Sequence, residues 1–264
     1  MSLFITSLNS GSNGNCYYIG NDTEAVLIDA GISCRETERR MKRLGLPMER
    51  VKAIFISHEH SDHIRGLPQL AKQHYLPVYM TQQTWQHARL PQPRYPVYPL
   101  RAYDPICVGE LCVTAFPKWH DASDPHSFIV TQGGVQVGVF TDIGAPCEHV
   151  VRHFSQCHAA FLETNYDEDM LALGRYPYVL KRRIQSDKGH LSNLQALNLF
   201  REHRPAHMSH LLLAHLSKDN NSPQVVSELF NAHADGVQVV VASRYAETPV
   251  FEVGASYSPQ ISVV

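Results

Sequence analysis

Long apolar runs are missing from this chain. None approaches the roughly 18 residues that a membrane-spanning helix needs, so nothing in it reads as crossing a membrane. A basic stretch followed by an apolar core is missing at the start, where Met1–Ser7 reads as a first strand rather than a targeting segment. There is no excess of one charge: 23 basic residues against 25 acidic ones leave a net charge of -2, with no global signature of nucleic-acid binding. Paired cysteines are absent too. The six cysteines stand at 16, 34, 107, 112, 147 and 157, none in a C-x-x-C pair, and a chain this long needs no disulfide staples to build a core. They read as reduced thiols of a cytoplasmic protein. No linker-like tract and no repeat by residue identity divides the 264 residues. The pattern predicts one domain over residues 1–252 and a C-terminal tail over 253–264.

Histidine is the residue in excess, at 16. Its densest group is His58-Glu59-His60-Ser61-Asp62-His63, directly after the apolar run Ala53-Ile54-Phe55-Ile56. Unligated imidazoles packed this closely would compete for the same hydrogen-bond partners. Bound to a divalent cation, each supplies one lone pair.

Hydrophobic patterning places this cluster in an alternation of strands and helices. Short strands are expected at 3–8, 16–20, 25–28, 53–56 and 78–80, with an amphipathic helix over 34–44 ended by Gly45. Residues 91–105 are Pro-rich and read as irregular. Strands follow at 106–108, 111–116, 127–132 and 135–140, the last two joined by Gly133-Gly134. A helix near 146–154, a strand at 159–162 and a poorly patterned stretch over 165–189 come next. Ser192 caps a helix to about His203, and strand, helix and strand follow at 211–214, 223–233 and 237–241. Both halves run from strands to helices. Two sheets packed face to face, with helices outside both, satisfy that pattern.

Ligands for a metal centre belong on loops at the ends of buried strands. His120 follows Ala115-Phe116, Asp142 ends Val137-Gly138-Val139-Phe140, His215 ends Leu211-Leu212-Leu213-Ala214, and His190 precedes a helix. His126 rivals His120 but opens a strand, so a substrate-side or supporting role is left to it. Asp29 ends a buried strand beside Gly31 and is expected to bond loop amides near the centre. The Gly/Ser-rich loop 10–15 offers backbone amides to a phosphate, or is simply a tight connection. The run Lys181-Arg182-Arg183 is a solvated face or a grip on a phosphate backbone.

In this order, His-x-His-x-Asp-His, a lone His, Thr-Asp and a His after a strand resemble the metal-binding series of the metallo-β-lactamase fold. The resemblance covers nearly the whole chain. The words Ser10-Gly11-Ser12-Asn13-Gly14-Asn15-Cys16, Leu27-Ile28-Asp29-Ala30-Gly31, His120-Asp121-Ala122, Gly189-His190-Leu191-Ser192-Asn193 and His215-Leu216-Ser217-Lys218-Asp219-Asn220-Asn221 look like its YycJ/WalJ-like branch. That branch is implicated in 5′-to-3′ DNA exonuclease activity and is similar to the ribonuclease Z and PhnP phosphodiesterases.

The resemblance implies an α/β protein with the four-layer αββα fold, two mixed β-sheets face to face with helices on both outer faces. It implies two divalent ions. His58, His60 and His120 would hold one, Asp62, His63 and His215 the other, and Asp142 would bridge them. Zinc suits the donors best, with manganese or iron as alternatives. A pair about 3.5–4 Å apart lowers the pKa of water held between the ions and clamps an in-line displacement at phosphorus. Asp62 is expected to be indispensable to activity. By likeness to ribonuclease Z, His190 supported by Glu163 would protonate the leaving oxygen.

Ser10, Ser12, Asn13, Lys181 and Arg182 are the candidate substrate contacts. The expected substrate is nucleic acid, DNA before RNA, and relatives with this fold are often homodimers. A PhnP-like small-molecule phosphodiesterase, a glyoxalase II-like thioester or lactone hydrolase, and a non-catalytic metal-binding protein stand as alternatives. The stretch between Asp142 and His215 is too short for the large inserted domain of β-CASP nucleases.

Overall fold

The computed structural model describes residues 2–254. The first half forms strands β1 (Ser2–Asn9), β2 (Cys16–Gly20), β3 (Ala25–Ile28), β4 (Val51–Phe55), β5 (Val78–Met80) and β6 (Val97–Pro99). Helices α1 (Cys34–Arg43), α2 (Ser61–Ile64), α3 (Leu67–His74) and α4 (Gln82–His87) are interleaved with them. The second half forms β7 (Ile106–Val108), β8 (Leu111–Pro117), β9 (His126–Gln132), β10 (Val135–Phe140), β11 (Ala159–Glu163), β12 (His210–Ala214), β13 (Gln238–Val241) and β14 (Phe251–Gly254). Its helices are α5 (Glu148–Phe154), α6 (Glu168–Leu173), α7 (Tyr178–Ile184), α8 (Asn193–His203) and α9 (Pro223–Asn231).

Two seven-stranded sheets result, in the orders β14-β1-β2-β3-β4-β5-β6 and β13-β12-β11-β10-β9-β8-β7. Read from β14, the first sheet has three antiparallel pairings and then three parallel ones. Read from β7, the second has the same sequence of pairings. The halves therefore repeat each other in topology, which residue identity does not reveal.

The burial pattern builds four layers, and the fold is αββα as expected. Inward residues of both sheets, among them Ile5, Tyr17, Phe128, Phe161 and Leu212, share one core. The outer face of the first sheet packs Tyr18, Leu27 and Ile54 against Met41 of α1 and Leu67 and Leu70 of α3. The outer face of the second packs Phe140, Leu162 and Leu213 against Phe154, Phe200 and Phe230 of α5, α8 and α9. Local signals agree with these placements. Ser33 caps α1, and Ser192 with Gln195 forms a reciprocal capping box on α8.

Some expectations need correction. The Pro-rich stretch 91–105 contains β6, whose Pro99 is tolerated at the edge of its sheet. The stretch 165–189 holds α6, capped by Asp167, and α7; they are too short and exposed to show a clear apolar face. Residues 253 and 254 belong to β14, which pairs with β1, so strand reaches into the segment expected as tail. Residues 255–264 of that segment lie outside the described residues. The reduced-thiol reading fails for one pair. Cys107 and Cys112 face each other across the β7–β8 hairpin and form a disulfide. The other four cysteines are free and buried. A cross-strand pair five residues apart escapes any search for C-x-x-C spacing.

Candidate metal centre

The centre lies where strand ends of both sheets meet. After β4 the chain passes through Ser57-His58-Glu59-His60 into α2, which carries Asp62 and His63. This loop is locked by backbone bonds. Asp62 O accepts from Asn15 N, His63 O from Ala30 N, and Ala30 O from Gly66 N. Gly31 is required here, since a Cβ on it would lie 1.7 Å from Asp62 O. From the second sheet come His120 after β8, Asp142 after β10, Glu163 at the end of β11 and His215 after β12. Asp29, Asp142 and His215 have φ of 63°, 53° and 56°. Left-handed backbone on non-glycine residues is costly and clusters at functional sites.

Donor atoms converge in two triads, His58 with His60 and His120, and Asp62 with His63 and His215. Asp142 lies between them. Its Oδ2 is 3.1 Å from His63 Nε2, and its Oδ1 is 3.7 Å from His120 Nε2 and 3.6 Å from His215 Nδ1. His58, His63, His120, Asp142 and His215 are all buried, with His60 and Asp62 at the opening.

The hydrogen bonds around the rings set their tautomers. His63 Nδ1 donates to Asp29 Oδ2 at 2.7 Å, and His120 Nδ1 to Gly189 O at 3.0 Å. His215 Nδ1 donates to Glu163 Oε1 at 3.0 Å. Ser57 Oγ donates to Asp29 Oδ2, so it accepts from His58 Nδ1 at 2.9 Å. In its neutral form each of these rings is left with a lone pair on Nε2. His63 Nε2 faces Asp142 Oδ2 and lies 3.5 Å from Asp62 Oδ2, while His215 Nε2 is 3.4 Å from that same oxygen. His120 Nε2 is 3.4 Å from His60 Nδ1. His58 Nε2 and Asp142 Oδ2 are buried without a hydrogen-bond partner among the described residues. Lone pairs turned on lone pairs repel unless a cation lies among them. The residues fit divalent metal.

The electrostatics make the same demand. Burial opposes charge on His215, but Asp142, Asp62 and Glu163 outweigh it and push its pKa up to about 10. His63 is likewise pushed well above the usual imidazole range by Asp142, Asp29 and Asp62, against its burial. Burial alone would raise Asp142, yet His215 and His63 hold it well below the ordinary carboxylate range.

His190 and Glu163 stand beside the triads. His190 Nδ1 is 2.7 Å from Glu163 Oε1, and Glu163 Oε2 accepts from Ile143 N at 2.6 Å. Glu163 is fully buried. Burial would raise its pKa, but His190 and His215 bring it down to about 2, so it stays a carboxylate.

Ser10 is buried, its hydroxyl accepting from His215 N and sharing a bond with Tyr17 Oη. The amides of residues 10, 11, 14 and 15 are spent within the protein, while Ser12 and Asn13 are exposed. Lys181 and Arg182 line a separate surface cavity of 310 Å³ with Tyr178. It is Arg183 of this run that reaches the centre's rim, where it pairs with Asp121. His126 Nδ1 turns to Asp124 O at 2.9 Å, outside both triads.

Sequence reasoning missed four contributors. Ser57 links Asp29 to His58. Asn15 Nδ2 donates to Asp62 Oδ2 at 3.2 Å. Lys118, buried, donates to Thr141 O at 2.6 Å beside Asp142. Arg244 reaches Ser12 Oγ at 3.1 Å and Leu216 O at 3.2 Å. Asn15 alone stood in a recognisable motif; the others are ordinary residue types whose role comes from the fold.

Residues 24–215 match the family model described as beta-lactamase superfamily domain. The chain belongs to the beta-lactamase superfamily. Within it, the chain is 35% identical over 244 residues to exodeoxyribonuclease YycJ of Bacillus anthracis, covering 90% of this chain and 92% of that protein. This places it in the YycJ/WalJ branch. Exodeoxyribonuclease WalJ of Streptococcus pneumoniae serotype 2 is 28% identical, over 81% of each chain. Among solved structures, the metallo-β-lactamase fold protein YhfI of Bacillus subtilis aligns with a TM-score of 0.74 at 19% identity, covering 96% of this chain and all of that one. That likeness shows the shared fold. Membership implies a metal-dependent hydrolase with divalent ions at a His/Asp cluster. Among the described residues, no helix is long and apolar enough to cross a membrane.

Proposed function

We propose that this protein is a dinuclear metal-dependent phosphodiesterase that degrades DNA from its 5′ end. The observation that carries this reading is the pair of donor triads sharing Asp142, with the His190–Glu163 pair at their side. The relation to exodeoxyribonucleases YycJ and WalJ supports DNA as the substrate.

His58, His60 and His120 would hold one ion, Asp62, His63 and His215 the second, with Asp142 between them. Zinc suits this set best, and manganese or iron would serve. When bound, the ions supply Lewis acidity toward a phosphate oxygen and an activated water. The chain's own residues do the rest. Glu163 holds His190 by Nδ1, so Nε2 is the nitrogen that can give a proton to the leaving oxygen. Burial keeps Glu163 from turning to solvent. Asn15 holds Asp62 at the opening. Ser12 and Asn13, with Lys181 and Arg182 farther out, would take the DNA backbone. The same reading has the enzyme work in the cytoplasm, on DNA in preference to RNA.

The test is purified protein with manganese or zinc on end-labelled single- and double-stranded DNA and RNA, beside bis(p-nitrophenyl) phosphate. Stepwise shortening of DNA from the 5′ end is expected, with Asp62→Ala inactive on every substrate. Hydrolysis of the small diester alone would overturn the nuclease reading.

A further inference from the structure

A cavity of 320 Å³ opens where α3 meets the segment after α4. Arg65, Lys72 and Arg94 line it, with Gln69, Gln92 and Tyr95, and no carboxylate does. In a chain with slightly more acids than bases, such a wall is a local departure from the average. Lys72 and Arg94 are exposed and have no ion-pair or hydrogen-bond partner among the described residues.

The cavity is tied to the metal centre. Arg65 follows α2, which carries Asp62 and His63, and its guanidinium donates to Asn13 O. The Asn13 side chain donates to Arg244 O, and Arg244 in turn reaches Ser12 Oγ. Arg244 and Arg65 are thus joined through Asn13, and Arg65 lines the cavity with Lys72 and Arg94.

A second observation is independent of charge. Tyr95 is buried, and its phenol oxygen has no hydrogen-bond partner among the described residues. A buried hydroxyl without an acceptor is costly, and a phosphate oxygen in the cavity would accept its proton.

We propose that this cavity holds the sugar-phosphate backbone of the nucleic-acid strand whose end lies at the metal centre. Arg65, Lys72 and Arg94 face its phosphates, and Tyr95 donates to one of them. The proposal rests on the nuclease reading and adds where the strand runs. Lys72, Arg94 and Tyr95 are outside the centre, so their removal leaves the chemistry of a small substrate untouched.

The holoenzyme and its Lys72→Ala/Arg94→Ala variant are compared on single-stranded DNA over a series of salt concentrations, and on bis(p-nitrophenyl) phosphate. The variant should keep wild-type turnover of the small diester. Its KM for DNA should rise about tenfold, and the slope of log KM against log salt should become shallower by about 1.4, because two phosphates are no longer neutralised. Arg94→Gln, one charge fewer on a surface segment, should show about half that change in slope. Tyr95→Phe should raise the DNA KM without lowering Tm, because the deleted hydroxyl has no partner in the free protein. If wild type degrades DNA and all three variants match its KM and salt slope, the groove is overturned while the nuclease reading stands. If wild type hydrolyses only the small diester, both fall.

Discussion

Asp29 shows how much of the centre is decided one residue away from it. Its Oδ1 accepts from Ser57 N at 2.8 Å, and its Oδ2 takes both Ser57 Oγ and His63 Nδ1. One carboxylate therefore fixes the loop, the His63 tautomer and, through Ser57, the His58 tautomer. Asp29→Asn keeps the shape and tolerates the left-handed backbone, but removes the charge. Metal affinity should fall roughly 10–100-fold, measured by competition with a chromogenic chelator. Unchanged affinity would reduce Asp29 to a loop anchor. His190 is tested differently, because it lies outside the two triads. His190→Ala should retain its metal and lose about 10²–10⁴ in rate on DNA. Bis(p-nitrophenyl) phosphate, whose leaving group needs no proton, should be largely spared. An equal loss on both substrates would point to positioning rather than proton transfer.

Strands carry these residues to one place, and the placement follows from pairing. The parallel strands β3, β4 and β10 to β12 all end toward the centre, as carboxyl ends do in α/β proteins. Tyr17 and Phe161 join the two sheets beneath it, with ring centroids 4.9 Å apart. Tyr17 Oη continues the link to Ser10 and Asn15, hence to His215 and Asp62. Phe161→Ala should cost about 3–5 kcal/mol in urea unfolding and loosen metal binding as well. A cost under about 1 kcal/mol would mean the sheets close without this contact. The elements were largely legible because their patterns are local. Ala25–Ile28 and Ala53–Ile56 are continuous apolar runs, and Ser192 with Gln195 announces a helix. The short helices α6 and α7, the edge strand β6 and the returning strand β14 were not. Their sequences lack a strong face, and β14 exists only by pairing with β1 from the far end of the chain. The donor residues were legible because they follow strand ends, and their division into two triads came from the resemblance to the metallo-β-lactamase fold. Lys118 and Arg244 were not, because what each touches is decided by long-range packing.

The whole molecule is nearly neutral, yet it gathers Asp29, Asp62, Asp142 and Glu163 around a few imidazoles. Without metal, that concentration of negative charge is met by protons. The His215 pKa is raised to about 10 and that of His63 well above its ordinary value, so both rings hold an extra proton at neutral pH. The sign of the pH effect follows. Metal takes the Nε2 lone pairs and must expel these protons, so acid competes with binding. Apparent metal affinity should rise with pH from neutrality toward about 10, by up to about a hundredfold per unit if both protons are displaced together. The metal-free fold should show the reverse. The charged rings stabilise it at lower pH, and that contribution is lost as pH climbs through the raised values. Chelator competition at several pH values, corrected for the chelator's own protons, measures the first effect, and thermal unfolding of the stripped protein measures the second. A metal affinity flat across this window would mean the carboxylates do not hold those protons, and the centre would be balanced by some charge other than the one its geometry invites.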